Sequence, residues 1–523
     1  MSNRLVAAAV AVVVVIGAVL RFVAQTPMWL DEALSVNIAA LGADGIVDGL
    51  RQDGHPPLYY FLLRFWTTVF GDGDGVARAL SGVAAIAALP LMVLAGRRFG
   101  VTELEVFATD HRPPERRAEL RAEAQNRMAV AALVLLAASP FAIRYATEAR
   151  MYALVSLLAL AVWVVTESAL ERPTVLRLAG VAVTAAALLY THYWAIFFLA
   201  ALGLTVLWQA LGFDQQRLPT PARKVAGALV VGGLLFTPWL PVFLDQLAHT
   251  GTPWGERARP AEIASTTIFE LGGGPRSEAQ LVGFAVVVLV LVGLFGRVNE
   301  SGRLEIDAKA SPNGLRLGAL VALTMGLGTV AAWATAGTYQ PRYAAVVVPF
   351  VILLAARGLL QFRGISRLAI GGAVIGFALA TAAYVSNIDR SQSEAIAESI
   401  NEVARPGDLV VFCPDQLGPA ASRYLDPAID AVTYPELGEP ERVDWRDYAD
   451  RNEAADPSAF VDRINQRSSG TIFVVLATGY LTLEGQCERV VEELSVGRAA
   501  TTTIAADADR YEPGALIRFE PAG

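Results

Sequence analysis

The chain has 523 residues, 54% of them hydrophobic and only 18% charged, with a mean hydropathy of +0.45. A soluble protein carries roughly 25% charged residues, so the composition alone describes an integral membrane protein. The net charge of −8 argues against nucleic acid as a partner.

A membrane span needs about 20 mostly apolar residues. The first apolar run, residues 5–20, follows Arg4 and resembles a signal peptide in length. No small-x-small cleavage site precedes Pro27 and many apolar runs follow, so a retained first helix is expected. The same rule places spans near residues 5–24, 77–96, 128–146, 151–168, 176–192, 194–211, 225–243, 280–296, 315–335, 344–361 and 368–386, about eleven in all. Residues 57–70 are too short for a span. With Arg64 among Tyr59, Tyr60 and Trp66, that stretch reads as a helix lying at the headgroups.

Loop charge then orients the chain. One set of loops holds Arg97, Arg98, Arg112, Arg116, Arg117, Arg121, Arg127 and Arg172. The same set continues with Arg217, Arg223, Lys224, Arg297, Arg303, Lys309, Arg363 and Arg367. The opposite loops hold far fewer basic residues: Arg51, Arg64, Arg150, Arg257, Arg259, Arg276 and Arg342. The positive-inside rule puts the rich set in the cytoplasm, which leaves the N-terminus inside and the C-terminus outside.

Past Ile388 the apolar runs stop. Short β-like runs, DLVVF (408–412), TIFVVLA (471–477) and ALIRFE (515–520), alternate with helical patterns such as SEAIAESINEVA (393–404) and QCERVVEELSV (486–496). This alternation predicts a small α/β domain. The fold class is therefore an α-helical polytopic membrane domain, residues 1–388, with a first outer loop over 25–76, followed by an extracytoplasmic α/β domain, residues 389–523. The α/β part has no phosphate loop, metal-ligand spacing or nucleophile elbow, so no catalysis is assigned to it. Cys413 and Cys487 both fall there; an oxidising compartment would let them pair, but two cysteines are too few to define a disulfide framework, and the sequence leaves the pairing open.

The outer loops collect the reactive groups. WLDEALSV (29–36) and DGHPPLYY (53–60) supply Asp31, Glu32, Asp53, His55 and Tyr59. RYATEARMYAL (144–154) supplies Arg144, Tyr145, Glu148, Arg150 and Tyr152, and YTHYW (190–194) supplies Tyr190, His192 and Tyr193. TYQPRY (338–343) supplies Tyr339, Gln340, Arg342 and Tyr343. Each has an ordinary alternative. Asp31 and Glu32 suit a helix N-terminus; His-Pro-Pro suits a helix start; Glu148 and Arg144 suit an i,i+4 pair worth about 0.3–0.5 kcal/mol. His192 suits an interface and Arg342 a snorkelling position. Convergence of all of them on one membrane surface favours chemistry, because ionisable groups in such chains are costly to keep.

Carboxylates, guanidiniums and aromatics together suit transfer of a sugar from a lipid phosphate. A carboxylate takes the proton of an acceptor hydroxyl. Guanidiniums neutralise the phosphate that leaves, and aromatic rings stack on sugar faces. A carboxylate pocket with His55 or His192 can also hold a divalent cation, although no motif demands a cofactor.

The ordered elements WLDEALSV…DGHPPLYYFLLRFW…ARALSG…SPFAIRYATEARMYAL…YTHYWA…YQPRYAAVVVPF resemble the GT-C membrane glycosyltransferases. The nearest branch is the glycosyltransferase family 39-like group of bacterial protein O-mannosyltransferases and aminoarabinose transferases. The resemblance covers residues 1–390. It implies a polyprenyl-phosphate sugar donor, with mannose the sugar the family name suggests, and inversion at the anomeric carbon. It also implies a glycolipid, polysaccharide or protein acceptor and a plasma-membrane site of action on the outer face. Asp31 inherits the base role with Glu32 beside it, and Glu148 matches a second acidic position. His55 stands before Pro-Pro near the donor phosphate, with Arg150 and Arg342 as phosphate partners. Asp53, Tyr59, Tyr152, His192, Tyr193 and Tyr343 are the expected substrate contacts. Where some relatives carry Arg and Tyr after Asp-Glu, this chain has Ala33 and Leu34, so phosphate contacts must come from other loops. A lipid-linked sugar flippase, or a polysaccharide polymerase or ligase, is the competing class.

Overall fold

The computed structural model describes residues 3–105, 114–213, 218–251, 255, 259–298, 303–308, 311–335, 337–479, 482–483 and 485–521. Arg112, Arg217, Arg257 and Lys309, used above for loop charge, lie outside the described residues. The chain divides into two compact units. The first comprises Met1–Ala24, Arg78–Trp239 and Arg257–Asn387; the second comprises Gln25–Ala77, Leu240–Glu256 and Ile388–Gly523.

The first unit is built of helices. Among the described residues six helices of the chain are long and apolar enough to cross a membrane: Asp74–Gly100, Tyr152–Glu171, Pro219–His249, Glu278–Phe295, Pro312–Ala334 and Gly364–Val385. Shorter apolar helices cover Arg4–Leu20, Val175–Leu189, Ala195–Ala210 and Val348–Gln361. Their surfaces leave Val175, Leu176, Val183, Val230 and Leu281 more than 60% exposed. Contiguous apolar exposure of this kind is sustainable only against lipid. The chain is a multi-pass membrane protein.

Apolar side chains gain little by leaving lipid, so these helices associate through close backbone approach. Helices Ser277–Phe295 and Val348–Gln361 meet at two glycines. A Cβ on Gly293 would lie 2.1 Å from the Leu354 carbonyl oxygen, and one on Gly358 would lie 1.8 Å from that of Leu289. Polar groups supply the other ties. Buried Arg21 donates to the carbonyls of Gly17 (2.6 Å), Leu136 (2.8 Å) and Ala137 (2.9 Å), joining the end of the first helix to helix Pro114–Ala138. A short hairpin, β1 (Gly296–Val298) with β2 (Leu304–Ile306), completes this unit.

The second unit holds a five-stranded sheet in the order β4-β3-β5-β7-β6. Strands β3 (Leu409–Cys413), β4 (Asp430–Thr433) and β5 (Ile472–Leu476) are parallel. Strands β6 (Ala500–Ile504) and β7 (Ala515–Phe519) run antiparallel to each other, and β7 to β5. The central strands are apolar on both faces because two hydrophobic clusters cover the sheet. The three predicted strand runs correspond to β3, β5 and β7, and the two predicted helical patterns to Ser393–Asn401 and Gln486–Gly497. Cys413, at the end of β3, is disulfide-bonded to Cys487 in helix Gln486–Gly497.

The first loop belongs to this unit. It forms helices Leu30–Ala40, Ala43–Asp53 and Leu58–Phe70. The last is 13 residues long, about 20 Å at 1.5 Å per residue, too short for a hydrocarbon core of about 30 Å. Phe65, Val69 and Phe70 are exposed along it. Tyr59 and Tyr60, however, are fully buried, and they meet edge to face with ring centroids 6.1 Å apart. The expected headgroup role of these two tyrosines is thus replaced by a packing role.

Candidate active site

The candidate residues fall into one cluster in each unit. In the second unit the Asp-Glu pair opens helix Leu30–Ala40, with both acids in its first turn, where the backbone N–H groups favour negative charge. Glu32 is buried (2% exposed) and Asp31 partly so. The Ser35 hydroxyl donates back to the Asp31 carbonyl (2.9 Å). Arg64 of helix Leu58–Phe70 donates to the carbonyls of Ala39, Ala40 and Leu41, capping the C-terminal end of the same helix. Leu34 packs with Val443, Trp445 and Tyr448 of the C-terminal segment. Asn37 donates to the Glu441 carbonyl (2.8 Å).

Asp53 ends helix Ala43–Asp53, and Gly54, at φ 80°, turns the chain out of it. Only glycine takes that backbone region without strain, and a Cβ there would also lie 2.9 Å from the Thr250 hydroxyl oxygen. The turn brings His55 Nδ1 to 2.9 Å from Asp53 Oδ2. The Tyr60 hydroxyl donates to the same oxygen (2.8 Å). Asp53 is 8% exposed and orients His55. Pro57 stands at the N-cap of helix Leu58–Phe70, the helix-start reading of His-Pro-Pro.

The first unit gathers the other candidates. Helix Pro140–Arg144 ends in RYATEARM, and residues 145–151 run as turns before helix Tyr152–Glu171 begins. Such backbone needs partners: Thr147 N–H donates to the Arg144 carbonyl (3.1 Å), and the Arg150 carbonyl accepts from the Ser81 hydroxyl (2.9 Å). The break means that Arg144 and Glu148 are not neighbours along a helix. Arg144 Nε lies 3.8 Å from Glu148 but its Nη1 lies 2.9 Å from Glu270. The Tyr145 hydroxyl also donates to Glu270 (2.8 Å). Glu270 was missed in the sequence. Its signal was an acid at the end of an apolar helix, Pro260–Leu271, immediately before Gly272, Gly273 and Gly274.

Aromatic rings tie the remaining junctions together. Tyr152 lies 5.2 Å from Tyr145 and 5.7 Å from His192, and His192 lies 5.2 Å from Tyr343, centroid to centroid. Trp194 then stacks near both Tyr343 (5.6 Å) and Tyr339 (5.3 Å). The guanidiniums of Arg150 and Arg342 lie 5.9 Å and 6.0 Å from the Tyr152 ring centroid, within cation–π range. The His192 Nδ1 accepts from the Trp194 N–H (3.1 Å), which leaves the ring proton on Nε2. Tyr193 turns aside, its hydroxyl accepting from Trp239 (3.0 Å). Glu148 and Arg150 are buried, at 2% and 3% exposed.

Among the described residues no group of three or more His, Cys, Asp or Glu side chains is arranged to hold a metal ion. A cavity of about 590 Å³ in the first unit, lined by Arg98, Trp163, Glu171, Gln209 and Arg316 among others, contains none of the candidate residues.

The fold of this chain has counterparts among solved structures. Two structures of ArnT from Cupriavidus metallidurans, one apo and one bound to undecaprenyl phosphate, have this fold. Each matches at a TM-score of 0.59 and 12% identity over 99% of this chain and 98% of that one. The apo oligosaccharyltransferase of Archaeoglobus fulgidus matches at 0.51 and 11% identity, over 95% of this chain and 73% of that one. No protein-family model and no curated protein matches the sequence. The likeness is one of fold.

Proposed function

We propose that this chain is a membrane glycosyltransferase that moves a sugar from a polyprenyl-phosphate donor to an acceptor hydroxyl at the outer face of the plasma membrane. The observation that carries the reading is the cluster in the first unit. Arg144, Arg150 and Arg342 come from interhelical junctions almost 200 residues apart and share one wall of aromatic rings with His192. That chemistry fits a sugar phosphate: rings for the sugar, guanidiniums for the phosphate. Fold likeness to a protein that binds undecaprenyl phosphate agrees with it, by analogy.

The reaction is a single displacement. Asp31 accepts the acceptor's hydroxyl proton as the oxygen attacks the anomeric carbon. The bond from that carbon to the phosphate oxygen breaks, and polyprenyl phosphate leaves with inverted product behind it. Arg150 and Arg342 neutralise the leaving phosphate; Glu32 stands beside Asp31 in the first turn of its helix, and Glu148 is the second acid of this reading. His55, oriented by Asp53, is a further phosphate contact. Tyr152, His192 and Tyr343 line the sugar. Mannose is the sugar to test first.

Eleven spans with the N-terminus inside put the α/β segment outside, where the Cys413–Cys487 disulfide persists. Helix Leu58–Phe70 lies at the interface through its exposed apolar side chains. Membranes containing the protein, incubated with a panel of radiolabelled polyprenyl-phosphate sugars, test the assignment. A new glycosidic bond in the product supports it. Movement of labelled lipid across vesicles with no such bond replaces it with a flippase.

A further inference from the structure

The helix that carries Asp31 and Glu32 starts without a cap of its own. Trp29 stands at the N-cap position and offers no side-chain acceptor, although helix N-termini ordinarily recruit one. The carboxyl group facing that end comes from elsewhere in the same unit. Glu512 is 4% exposed. It lies against the Leu30 N–H and the Ser391 hydroxyl, within the electrostatic reach of Asp31. Neither oxygen makes a hydrogen bond of full geometry, so the contact depends on placement.

The surroundings hold Glu512 there. Its N–H donates to the Arg390 carbonyl (2.7 Å), and its backbone bridges to Ser391. The next residue back, Tyr511, meets Trp29 edge to face at 5.1 Å, and the Arg390 guanidinium lies 5.9 Å from the Trp29 ring. The Met28 N–H donates to the Tyr424 hydroxyl (2.9 Å), and the Met28 carbonyl accepts from Ser393 (3.3 Å). The charged groups nearby are Asp31 and Glu32 on the helix and Arg390 beside it. Arg510 is engaged by Asp389 (2.8 Å) and Asp507 (3.0 Å).

We propose that Glu512 is a positioning residue for Asp31: it caps the N-terminus of helix Leu30–Ala40 and sets the field in which Asp31 takes up a proton. This deepens the transferase reading and rests on it for the role of Asp31. Burial above all, with the Asp31 charge adding to it, pushes the Glu512 carboxyl up to about 8. Glu512 therefore sits near Asp31 mainly as a neutral acid at pH 7 and becomes a second negative charge above that.

The test uses full-length protein in lipid nanodiscs. E512Q keeps an acceptor at the helix end but removes the titration. Transfer at pH 7 is expected within about threefold of wild type, and the pH–rate profile is expected to lose an inflection between about pH 7 and 9. E512A removes the cap. Amide exchange in the peptide spanning residues 28–40 is expected to quicken at least tenfold, with kcat/KM falling about tenfold through kcat. Where E512A fails to fold, E512D, whose shorter side chain withdraws the carboxyl, replaces it in both measurements. Unchanged exchange in that peptide, or an inflection that survives E512Q, overturns the proposal. Wild-type protein that forms no glycosidic bond overturns the transferase reading instead, and the exchange measurement then decides the cap by itself.

Discussion

The two units distribute charge differently. In the helical unit the candidate residues form a mixed set: Arg144 with Glu270 and Glu148, and Arg150 and Arg342 over Tyr152. In the other unit acids dominate. Asp31, Glu32 and Asp53 lie on the first loop and Glu512 beside the helix of Asp31, with His55 and Tyr60 as partners to Asp53. Carboxylates exchange protons with hydroxyl groups, and guanidiniums hold anions. On the proposed function, the proton falls to the acid-rich unit and the phosphate to the guanidinium-rich one.

Substitutions separate these roles. D31N is expected to cut transfer on the order of 10²–10⁴-fold, the range of a lost general base, with folding and insertion intact by size-exclusion chromatography and protease protection. Normal turnover would remove Asp31 from the chemistry. R342A should cost about 10²–10³-fold in kcat and weaken binding of polyprenyl phosphate measured without any sugar. R342K should recover only part of that loss, since Lys lacks the planar fork. An R342A protein that binds the lipid phosphate normally would assign the phosphate elsewhere.

The remaining predictions concern stability. E270A removes the acid shared by Arg144 and Tyr145, and breaking a buried pair costs about 3–5 kcal/mol; a lowered midpoint in thermal unfolding of the detergent-solubilised protein checks it. C413S opens a disulfide of sequence separation 74. It should cost roughly 2–5 kcal/mol, and dithiothreitol should reproduce the loss in wild type but not in C413S.

The smallest effect is a pH dependence. Burial raises Asp415 from 3.8 to about 7, partly opposed by the hydrogen bond from Tyr448. A carboxyl whose folded value is raised contributes stability at low pH, and that stability is lost as pH climbs through the folded value. Between pH 5 and 8 the loss should be about 3 kcal/mol, and D415N should flatten the curve followed by denaturant unfolding.

Much of the α/β segment was legible. Strands β3 and β5 are continuous apolar runs because both faces of the sheet are covered, so composition alone marks them. Strand β4 is only four residues long, at one edge. Strand β6, reading ATTTI, is polar and largely exposed at the other edge. Neither carries a burial pattern to detect. In the membrane unit the apolar runs marked helices, since lipid demands them; among the described residues six are long and apolar enough to cross, and four shorter apolar helices accompany them. The candidate site was legible only as an inventory. Arg144 and Glu148 suggested a helical pair; the two do meet at 3.8 Å, but across a break in the helix, and the guanidinium also reaches Glu270 at 2.9 Å.

Hydrophobicity thus determined the class of this protein: long apolar helices with exposed apolar side chains cannot be stable in water. Tertiary structure alone decided the partners. A carboxyl's role depends on which groups lie within a few ångströms, and those groups come from positions hundreds of residues away. Glu512 beside the helix of Asp31 is the clearest instance: 481 positions separate them in the chain, and nothing local to either residue announces the other.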